Sequence, residues 1–437
     1  MAKLKSTLIS SKRLQSGVKG PAQYLTGMDL FNGHVSIPMI LVYPQGLDVG
    51  EIERSLVQTM RSYPVITGRI KKDAQGDQYI DNNDTGIDFR VSRCSGALPN
   101  YGAHNPFGKD IDSYVRRSYP WQVVDKDMPL FQIDIYQFDD GGVILCLLGV
   151  HSLFDGSSFW QFVLDWSKTH RGLAIDPTSL DRDVVIAAGQ SHPHVSRPDE
   201  LVYDPKMGER VSLLARLGFR AVTSTAKGVF RIPASMVQKW HADAKNELPA
   251  GTKVSTAELV TAYCLKTLSP VMEPGRFRTV GIVLDLRYKK PLNIPRNYFG
   301  NALGYGQARY TPDELATLRI PVLAQKCRPE PEGVSTEALF NYLALVEKYR
   351  QSKSIWKLFL KPAGETLHGG LVFNNCIHLP VYTVDFGSGP PSWHDICGVA
   401  FRMLMMFSTP ELDGGVDLHF TGRPHELTAL GQALKAA

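Results

Sequence analysis

The sequence contains no hydrophobic run long enough to cross a membrane as a helix. Its longest apolar stretches are about as long as a β-strand, well below the roughly 20 residues that a membrane helix needs. The polar stretch from Met1 to Gly20 lacks the apolar core of a secretory signal, and the C-terminal Leu-Lys-Ala-Ala is not a peroxisomal address. We therefore expect a cytoplasmic protein that has no membrane partner.

Closely spaced cysteines are also missing. No Cys-x-x-Cys pair occurs, which argues against a zinc site or a disulfide framework and favours buried thiols in a reducing compartment. The pair His192 and His194 lies in a stretch rich in Pro and Ser without a nearby cysteine, so a solvated loop explains it better than a metal site. We expect no bound metal. The six cysteines are Cys94, Cys146, Cys264, Cys327, Cys376 and Cys397.

Charge of either sign is not in large excess. The 48 basic and 43 acidic residues give a net charge of +5 over 437 residues. This charge is compatible with an anionic ligand but far from the dense basic surface of a nucleic-acid-binding protein, so no nucleic-acid partner is expected. A hydrophobic content of 43% is ordinary for a globular protein, and the length suffices for one large domain or two.

Strand and helix patterns alternate irregularly along the chain, which predicts a mixed α/β fold. Between about 171 and 228 the periodicity is poor apart from Val211 to Phe219, which indicates a long crossover between two halves. The clearest predicted strands are Val35 to Tyr43, Thr279 to Leu286, His378 to Phe386, Val399 to Phe407 and Gly415 to Phe420; the clearest predicted helices begin at Asp48, Ser157, Ser255 and Ser335 and after Pro424.

The most informative stretch runs from Leu130 to Val150. Alternating apolar residues from Phe131 predict a half-buried strand, and Asp139-Asp140-Gly141-Gly142 predicts a hairpin turn. The following residues, Val143 to Val150, are almost continuously apolar, as in a central buried strand. His151 comes directly after this strand.

His151 is the strongest candidate for a catalytic residue. It stands at the end of a rigid strand, where side chains reach into clefts, and its neutral form accepts a proton near neutral pH. Asp155 and Gly156 follow within one tight loop. A lone histidine is more often a satisfied residue at the edge of a core, but the strand end and the nearby Asp and Gly favour a catalytic function.

The run His151-Ser152-Leu153-Phe154-Asp155-Gly156 resembles the His-x-x-x-Asp-Gly signature of the BAHD acyltransferases. A second run, Asp385-Phe386-Gly387-Ser388-Gly389, is similar to the family's Asp-Phe-Gly-Trp-Gly, in the expected order and spacing. Further matches extend the resemblance over nearly the whole chain. They are Tyr63 to Arg69, Val254-Ser255-Thr256, Asp285-Leu286-Arg287 and Tyr298-Phe299-Gly300-Asn301.

The resemblance implies two similar chloramphenicol-acetyltransferase-like domains, each a mixed sheet flanked by helices, with an active-site channel between them. The expected division is an N-terminal domain over 1–195, a crossover over 196–228 and a C-terminal domain over 229–437, with a segment near 386–410 packed against the N-terminal domain. His151 would lie in the channel and act as general base. Acyl-CoA would be a co-substrate, no permanently bound cofactor is implied, and the acceptor would be a hydroxyl or amine of a small molecule.

The resemblance also assigns roles to other residues, each with a structural alternative. Asp155 is expected to pair with Arg287 rather than with His151. Together with Gly156, Asp385 and Gly387, these two residues would support the site. Coenzyme A contacts are implied for four residues, although a capping box from Ser255 to Glu258 and a tight turn explain them equally well. Those four residues are Ser255, Thr256, Gly300 and Asn301.

The sequence departs from the family pattern at three positions. Val150 precedes His151 where some relatives carry a second histidine, and Ser388 and Pro390 replace the usual Trp and Lys. These changes indicate a divergent branch, such as a fungal enzyme of secondary metabolism or of detoxification. We expect the protein to act as a monomer. Two alternatives stay open: the same scaffold used to condense or cyclise a polyketide or peptide intermediate, and a binding module without catalytic activity.

Overall fold

The computed structural model describes residues 6–116, 119–190, 201–223, 225–327, 335–396 and 401–436. Within these ranges, no helix is both long enough and apolar enough to pass through a bilayer, and no cluster of His, Cys, Asp and Glu could hold a metal ion. All five cysteines in these ranges are buried, which confirms that part of the prediction for them. Cys397, His192 and His194 lie outside the described residues.

The elements alternate between strand and helix, as the sequence predicts. In chain order the strands are β1 Ser6–Leu14, β2 Gln23–Tyr24, β3 Ser36–Tyr43, β4 Arg69–Lys72, β5 Gln78–Asp81, β6 Ile87–Cys94, β7 Phe131–Phe138, β8 Val143–Val150, β9 Val202–Tyr203, β10 Ala226–Ile232, β11 Arg278–Asp285, β12 Leu303–Tyr310, β13 Phe359–Leu360, β14 Leu371–Asn375, β15 Trp393–Ile396, β16 Met403–Ser408 and β17 Val416–Gly422. The helices are α1 Gly27–Asn32, α2 Val49–Met60, α3 Ile111–Tyr114, α4 Gly156–His170, α5 Asp183–Gln190, α6 Met207–Thr223, α7 Ala234–Glu247, α8 Thr256–Leu268, α9 Pro312–Thr317, α10 Ile320–Lys326, α11 Thr336–Gln351, α12 Lys361–Glu365 and α13 Pro424–Ala436.

The first large sheet has six strands in the order β1-β6-β7-β8-β3-β15. Strands β7 and β8 form the predicted antiparallel hairpin, and Gly141 in its turn has φ of 89°, a conformation that glycine adopts without steric cost. Every residue of β8 is buried, because β7 and β3 flank its edges and both of its faces are covered, with Leu145 in one apolar core and Ile144 in another. The continuous apolar run that marks this strand is therefore explained by its central position.

The second large sheet also has six strands, in the order β10-β17-β16-β14-β11-β12. Strand β14 is parallel to both β11 and β16, whereas the other pairs are antiparallel. One apolar core joins this sheet to helices α7, α8 and α10, through residues such as Leu259, Leu323 and Phe420. Two mixed sheets of equal size, each covered by helices, confirm the predicted α/β architecture.

A short segment from the late part of the chain completes the first sheet. Strand β15 pairs with β3 in antiparallel register, with Trp393 opposite Val42 and Ile396 opposite Met39. The buried Asp395 of this strand binds the ammonium group of Lys227, which lies on β10 of the second sheet. The late part of the chain thus adds a strand to the first sheet, and a side-chain ion pair links that strand to the second sheet.

The predicted strand from His378 to Phe386 is wrong. This segment contains a single turn of 3-10 helix, Val381–Thr383, and no strand. Pro380 has no N–H to donate to a sheet ladder, and its carbonyl instead accepts a hydrogen bond from Thr383 Oγ1 at 2.8 Å. The predicted strand from Val399 begins at Met403 in the described part of the chain, and α6 lies in the stretch with poor periodicity.

Candidate active site

Two regular elements hold His151 from either side. Strand β8 ends at Val150, and the His151 N–H donates to the carbonyl of Val35 at 2.7 Å. Helix α4 begins at Gly156, and the Asp155 carboxylate caps it by accepting from the Ser158 N–H at 3.0 Å. The loop that carries His151 is therefore short and anchored at both ends, as the strand-loop-helix pattern predicts.

Asp155 pairs with Arg287 and not with the His151 ring. Arg287 Nη1 donates to Asp155 Oδ2 at 2.9 Å, and Nη2 donates to Oδ1 at 3.1 Å. Asp155 is fully buried and Arg287 nearly so. Among the described residues, no hydrogen bond joins the Asp155 carboxylate to His151. The sequence-based prediction of this contact is confirmed.

The guanidinium of Arg287 also forms hydrogen bonds with groups other than Asp155. Its guanidinium donates to the carbonyl of Gly300 and to Ser158 Oγ, at 3.0 and 2.8 Å. Burial alone would lower the pKa of Arg287, but the carboxylates of Asp155 and Asp285 outweigh this effect and raise the pKa. Arg287 therefore stays charged and holds Asp155, Gly300 and the first turn of α4 in one network.

The His151 ring contacts Asn301. Its Nδ1 lies 3.1 Å from Asn301 Oδ1. The Asn301 amide nitrogen donates to Asp29 Oδ1 at 2.9 Å and to the His151 carbonyl at 2.8 Å. Both of these partners are acceptors only, so the NH2 group of Asn301 must face them and its oxygen must face the histidine.

This arrangement selects one tautomer of His151. Because Asn301 Oδ1 can only accept, Nδ1 of the neutral ring carries the hydrogen and donates it. The other ring nitrogen, Nε2, then has a free lone pair. Burial lowers the pKa of His151 below its ordinary value, against smaller opposing contributions from its own backbone, Asp155, Asn301 and Asp29. The ring is thus neutral at neutral pH and able to accept a proton at Nε2.

Ser255 and Thr256 lie at the start of α8. Ser255 is the N-cap and forms the capping box with Glu258 that the sequence predicts. Thr256 Oγ1 lies 3.0 Å from His241 Nε2. Among the described residues, no hydrogen bond links either residue to the network around His151.

Asp385 and Gly387 form a turn that packs on the far end of α4. Asp385 Oδ1 accepts from the Gly387 and Gly389 N–H groups at 2.7 and 2.9 Å, and both glycines have positive φ, of 88° and 89°. Phe386 packs against Trp166 of α4 with ring centroids 4.7 Å apart. Both glycines thus adopt a backbone conformation that other residues rarely take. The turn therefore contacts the helix that Asp155 caps at its other end.

Comparison with known proteins identifies the family. Residues 15–435 match the Transferase family. The chain belongs to this family, the BAHD acyltransferases. This protein is therefore an acyl-CoA-dependent acyltransferase, as the resemblance implies.

Individual relatives of this acyltransferase cover almost its whole length. Tryptamine benzoyltransferase 1 of Oryza sativa subsp. japonica is 24% identical over 95% of this chain and 92% of its own. The crystal structure of vinorine synthase covers 99% of this chain and 98% of its own, with a TM-score of 0.70 and 18% identity. That of F. graminearum TRI101 complexed with coenzyme A and T-2 mycotoxin covers 94% and 97%, with a TM-score of 0.75 and 17% identity.

Two residues of this acyltransferase join the network without having been predicted from the sequence. Asp29 lies in the first turn of α1 and binds Asn301, and Arg182 Nη1 donates to Asp29 Oδ2 at 2.7 Å. Thr26 and Asp29 stand three apart, so the capping-box pattern could have drawn attention to Asp29. No local pattern marks Arg182, since only the fold brings it to Asp29.

Proposed function

We propose that this acyltransferase moves an acyl group from acyl-CoA to a hydroxyl or amine of a small molecule, with His151 as the general base. One observation carries the proposal: Asn301 Oδ1 accepts a hydrogen bond from Nδ1 of His151, so Nε2 is left as the proton acceptor. The lowered pKa of His151 supports the same role, because a base must be unprotonated to act.

The reaction needs no acyl-enzyme. Nε2 of His151 takes the proton of the acceptor as its oxygen or nitrogen attacks the thioester carbonyl. The tetrahedral intermediate collapses, the carbon–sulfur bond breaks, and the thiolate of coenzyme A leaves. The proton held by His151 then passes to this thiolate, which returns the histidine to its neutral form and balances the reaction.

The groups around His151 act by holding it in place. We propose that Asp155 and Arg287 fix the loop, that Gly156 permits the tight turn into α4, and that Asp385 and Gly387 anchor the far end of that helix. The ion pair between Asp155 and Arg287 supports the first role. Asn301 belongs to this supporting group as well, because its side chain is bonded to His151.

The donor contacts are proposed to come mainly from residues after about 225. Ser255 and Thr256 remain candidates, because the N-terminus of α8 offers N–H groups that favour phosphate oxygens. Gly300 and Asn301 are buried, and their polar groups contact Arg287, His151 and Asp29. We therefore revise the expectation that these two residues bind coenzyme A and assign them to the support of His151.

The remaining features follow from the family and the sequence. We propose an N-terminal domain over 1–195, a crossover over 196–228 and a C-terminal domain over 229–437, with a channel between the domains that admits donor and acceptor. The antiparallel pairing of β15 with β3 supports packing of the first part of the segment near 386–410 against the N-terminal domain. The last part of that segment, β16, pairs with β14 and β17 and belongs to the second sheet. We also propose a cytoplasmic monomer of secondary metabolism that binds acyl-CoA only as a co-substrate.

The proposal is tested by offering acetyl-, benzoyl- and hydroxycinnamoyl-CoA with a panel of small alcohols and amines. Release of the coenzyme A thiol and the mass of the product report acyl transfer. In His151→Ala, kcat should fall about 10²–10⁴-fold, as expected for a general base. His425→Ala, on the exposed surface of α13, is the matched control and should retain activity.

Near-normal turnover by His151→Ala on the acceptor of the wild-type enzyme would rule out the mechanism. If no acyl-CoA is bound or consumed with any acceptor, the condensation or cyclisation alternative is favoured instead. Calorimetry with coenzyme A and the three acyl-CoAs measures that binding directly.

A further inference from the structure

Asp29 is a buried carboxylate whose two oxygens face different parts of the protein. It lies in the first turn of α1 and is inaccessible to solvent. Oδ2 accepts from the N–H and hydroxyl of Thr26, both at 2.9 Å, and from Arg182 Nη1 at 2.7 Å. Oδ1 accepts from the side-chain amide of Asn301 at 2.9 Å and from its backbone N–H at 3.4 Å.

The capping box of α1 accounts for only one of these oxygens. Thr26 and Arg182 contact Oδ2, and a helix cap needs no more than this. The bond from Oδ1 to Asn301 lies outside the cap and crosses 272 residues of sequence. It leads directly to His151, because the oxygen of the same amide accepts from the His151 ring.

Arg182 connects Asp29 to the catalytic loop by a second route. Its Nη1 binds the carboxylate, and its Nη2 donates to the carbonyl of Leu153 at 2.7 Å. Leu153 lies between His151 and Asp155. The charge of Asp29 is thus balanced inside the protein, and its ion pair holds the backbone of the loop that carries the base.

We propose that Asp29 is a positioning residue for His151 and acts through Asn301. Its carboxylate fixes the orientation of the Asn301 amide, and the amide oxygen in turn holds the hydrogen on Nδ1 of His151. The chain Asp29-Asn301-His151 therefore presents Nε2 to the acceptor. As the ring gains a proton in the reaction, the amide oxygen stabilises the positive charge. This inference rests on the proposed role of His151 as general base.

The variant Asp29→Asn tests the relay, because every neighbour of the carboxylate is a donor and an amide places an NH2 group against one of them. We expect kcat to fall about 10- to 100-fold, the range known for partners that orient metal-bound histidines, with little change in KM for either substrate. The matched control is Thr26→Ala, which removes the hydroxyl bonded to Oδ2 and leaves Oδ1 on Asn301. It should lower the melting temperature and leave kcat unchanged.

A double-mutant cycle separates the relay from a merely structural role. If Asp29 acts through Asn301, Asn301→Ala should lower kcat as much as Asp29→Asn, and the double variant should lose little more. Losses of kcat that multiply in the double variant would overturn the proposal. Should Asp29→Asn not fold, Asp29→Ser, which leaves room for water and retains a hydroxyl, takes its place in the same cycle.

Nitrogen NMR of the enzyme labelled in its histidines gives a readout that needs no turnover. The signal of His151 is assigned from its loss in His151→Ala. The wild-type ring should carry its hydrogen on Nδ1, and Asp29→Asn should shift the population toward Nε2–H. An unchanged tautomer in Asp29→Asn, or Nε2–H in the wild type, would contradict the relay. The expected tautomers without any acyl transfer would support the relay and contradict the proposed function.

Discussion

Arg287 binds Asp155 through both terminal nitrogens of its guanidinium, at 2.9 and 3.1 Å. The pair connects the end of β11, in the second sheet, to the N-cap of α4, which follows the first sheet. Both partners are buried, so neither charge can be compensated by water if the other is removed. The spacing of four residues from His151 to Asp155 thus places the carboxylate against Arg287 and not against the histidine ring.

Replacing Asp155 by Asn should destabilise the protein by about 3–5 kcal/mol, as breaking a buried ion pair does. Activity should fall because the loop that carries His151 loses its anchor. Urea unfolding monitored by tryptophan fluorescence measures the stability. The matched control is Asp243→Asn, which breaks the exposed pair with Lys239 on α7 and should cost about 0.5 kcal/mol or less. Wild-type stability of Asp155→Asn would show that the pair does not join the two sheets energetically.

The activity should fall only at acid pH. Burial lowers the pKa of His151 below its ordinary value of 6.5, and only the neutral ring can accept a proton. A proton binds to His151 as the pH falls through this lowered pKa, so kcat/KM should stay level down to about 6.5 and decline below it. The residual rate of His151→Ala should lack that acid limb. An acid limb centred above pH 6.5 in the wild type would contradict the environment seen for this histidine.

Ser255 can be tested for donor binding without disturbing the helix. Asp caps a helix about as well as Ser, so Ser255→Asp should leave stability unchanged. If the donor approaches the N-terminus of α8, the added negative charge should raise KM for acyl-CoA several-fold and leave KM for the acceptor unaltered. Ser335→Asp makes the same change at the N-cap of α11 and should leave both constants unchanged. An unchanged KM for acyl-CoA in Ser255→Asp would show that Ser255 caps the helix and does not contribute to donor binding.

His394 should make the fold less stable in acid. This histidine of β15 is fully buried, its Nδ1 lies 2.9 Å from Tyr382 Oη, and its Nε2 has no hydrogen-bond partner in the described part of the chain. Burial lowers the pKa of His394 well below 6.5; His419 and Lys227 lower it further, and Asp395 opposes them. In the unfolded chain, His394 therefore binds a proton near pH 6.5, whereas in the folded chain it stays neutral at this pH. The contribution of neutral His394 to the free energy of unfolding is fully present above this pH, and it is lost as the pH falls toward the pKa of His394 in the folded protein.

Replacing His394 by Phe removes this proton uptake. Below pH 6.5, the slope of the free energy of unfolding against pH should decrease by about 1.4 kcal/mol per pH unit, the value for one proton. Urea unfolding at a series of pH values measures the slope. The control is Phe407→Leu, because the centroid of the Phe407 ring lies 4.4 Å from that of His394. This variant should lower the free energy of unfolding equally at each pH and leave the slope unchanged. A slope that is the same in His394→Phe and the wild type would contradict the prediction.

Local pattern was enough to predict much of the molecule. The hairpin before His151, the strand that ends there and the capped start of α8 each follow from neighbouring residues, and the structure has them at nearly the predicted bounds. The segment from His378 to Phe386 shows the limit of such patterns. Its apolar residues are typical of a strand, but Pro380 cannot enter a ladder and the chain turns instead.

The contacts of the site show the same limit. Asn301 was predicted to lie near the donor, because its motif says nothing about the direction of its side chain; the fold turns it onto His151. Asp29 and Arg182 lie 153 residues apart in sequence and meet only because α1 and the segment before α5 lie on the same side of the loop. Neither hydrophobic periodicity nor residue spacing predicts such a tertiary contact.

The sequence by itself determined the candidate base, which follows from residues a few positions apart. Through the resemblance of its motifs to those of a known family, it also implied the family, the two-sheet architecture and the pairing of Asp155 with Arg287. Only the tertiary structure decided which nitrogen of His151 is free. That choice depends on the orientation of one amide, and the amide is oriented by a carboxylate 272 residues away. Hydrogen-bond direction is a property of atoms brought together by folding, so it cannot be inferred from residue types along the chain.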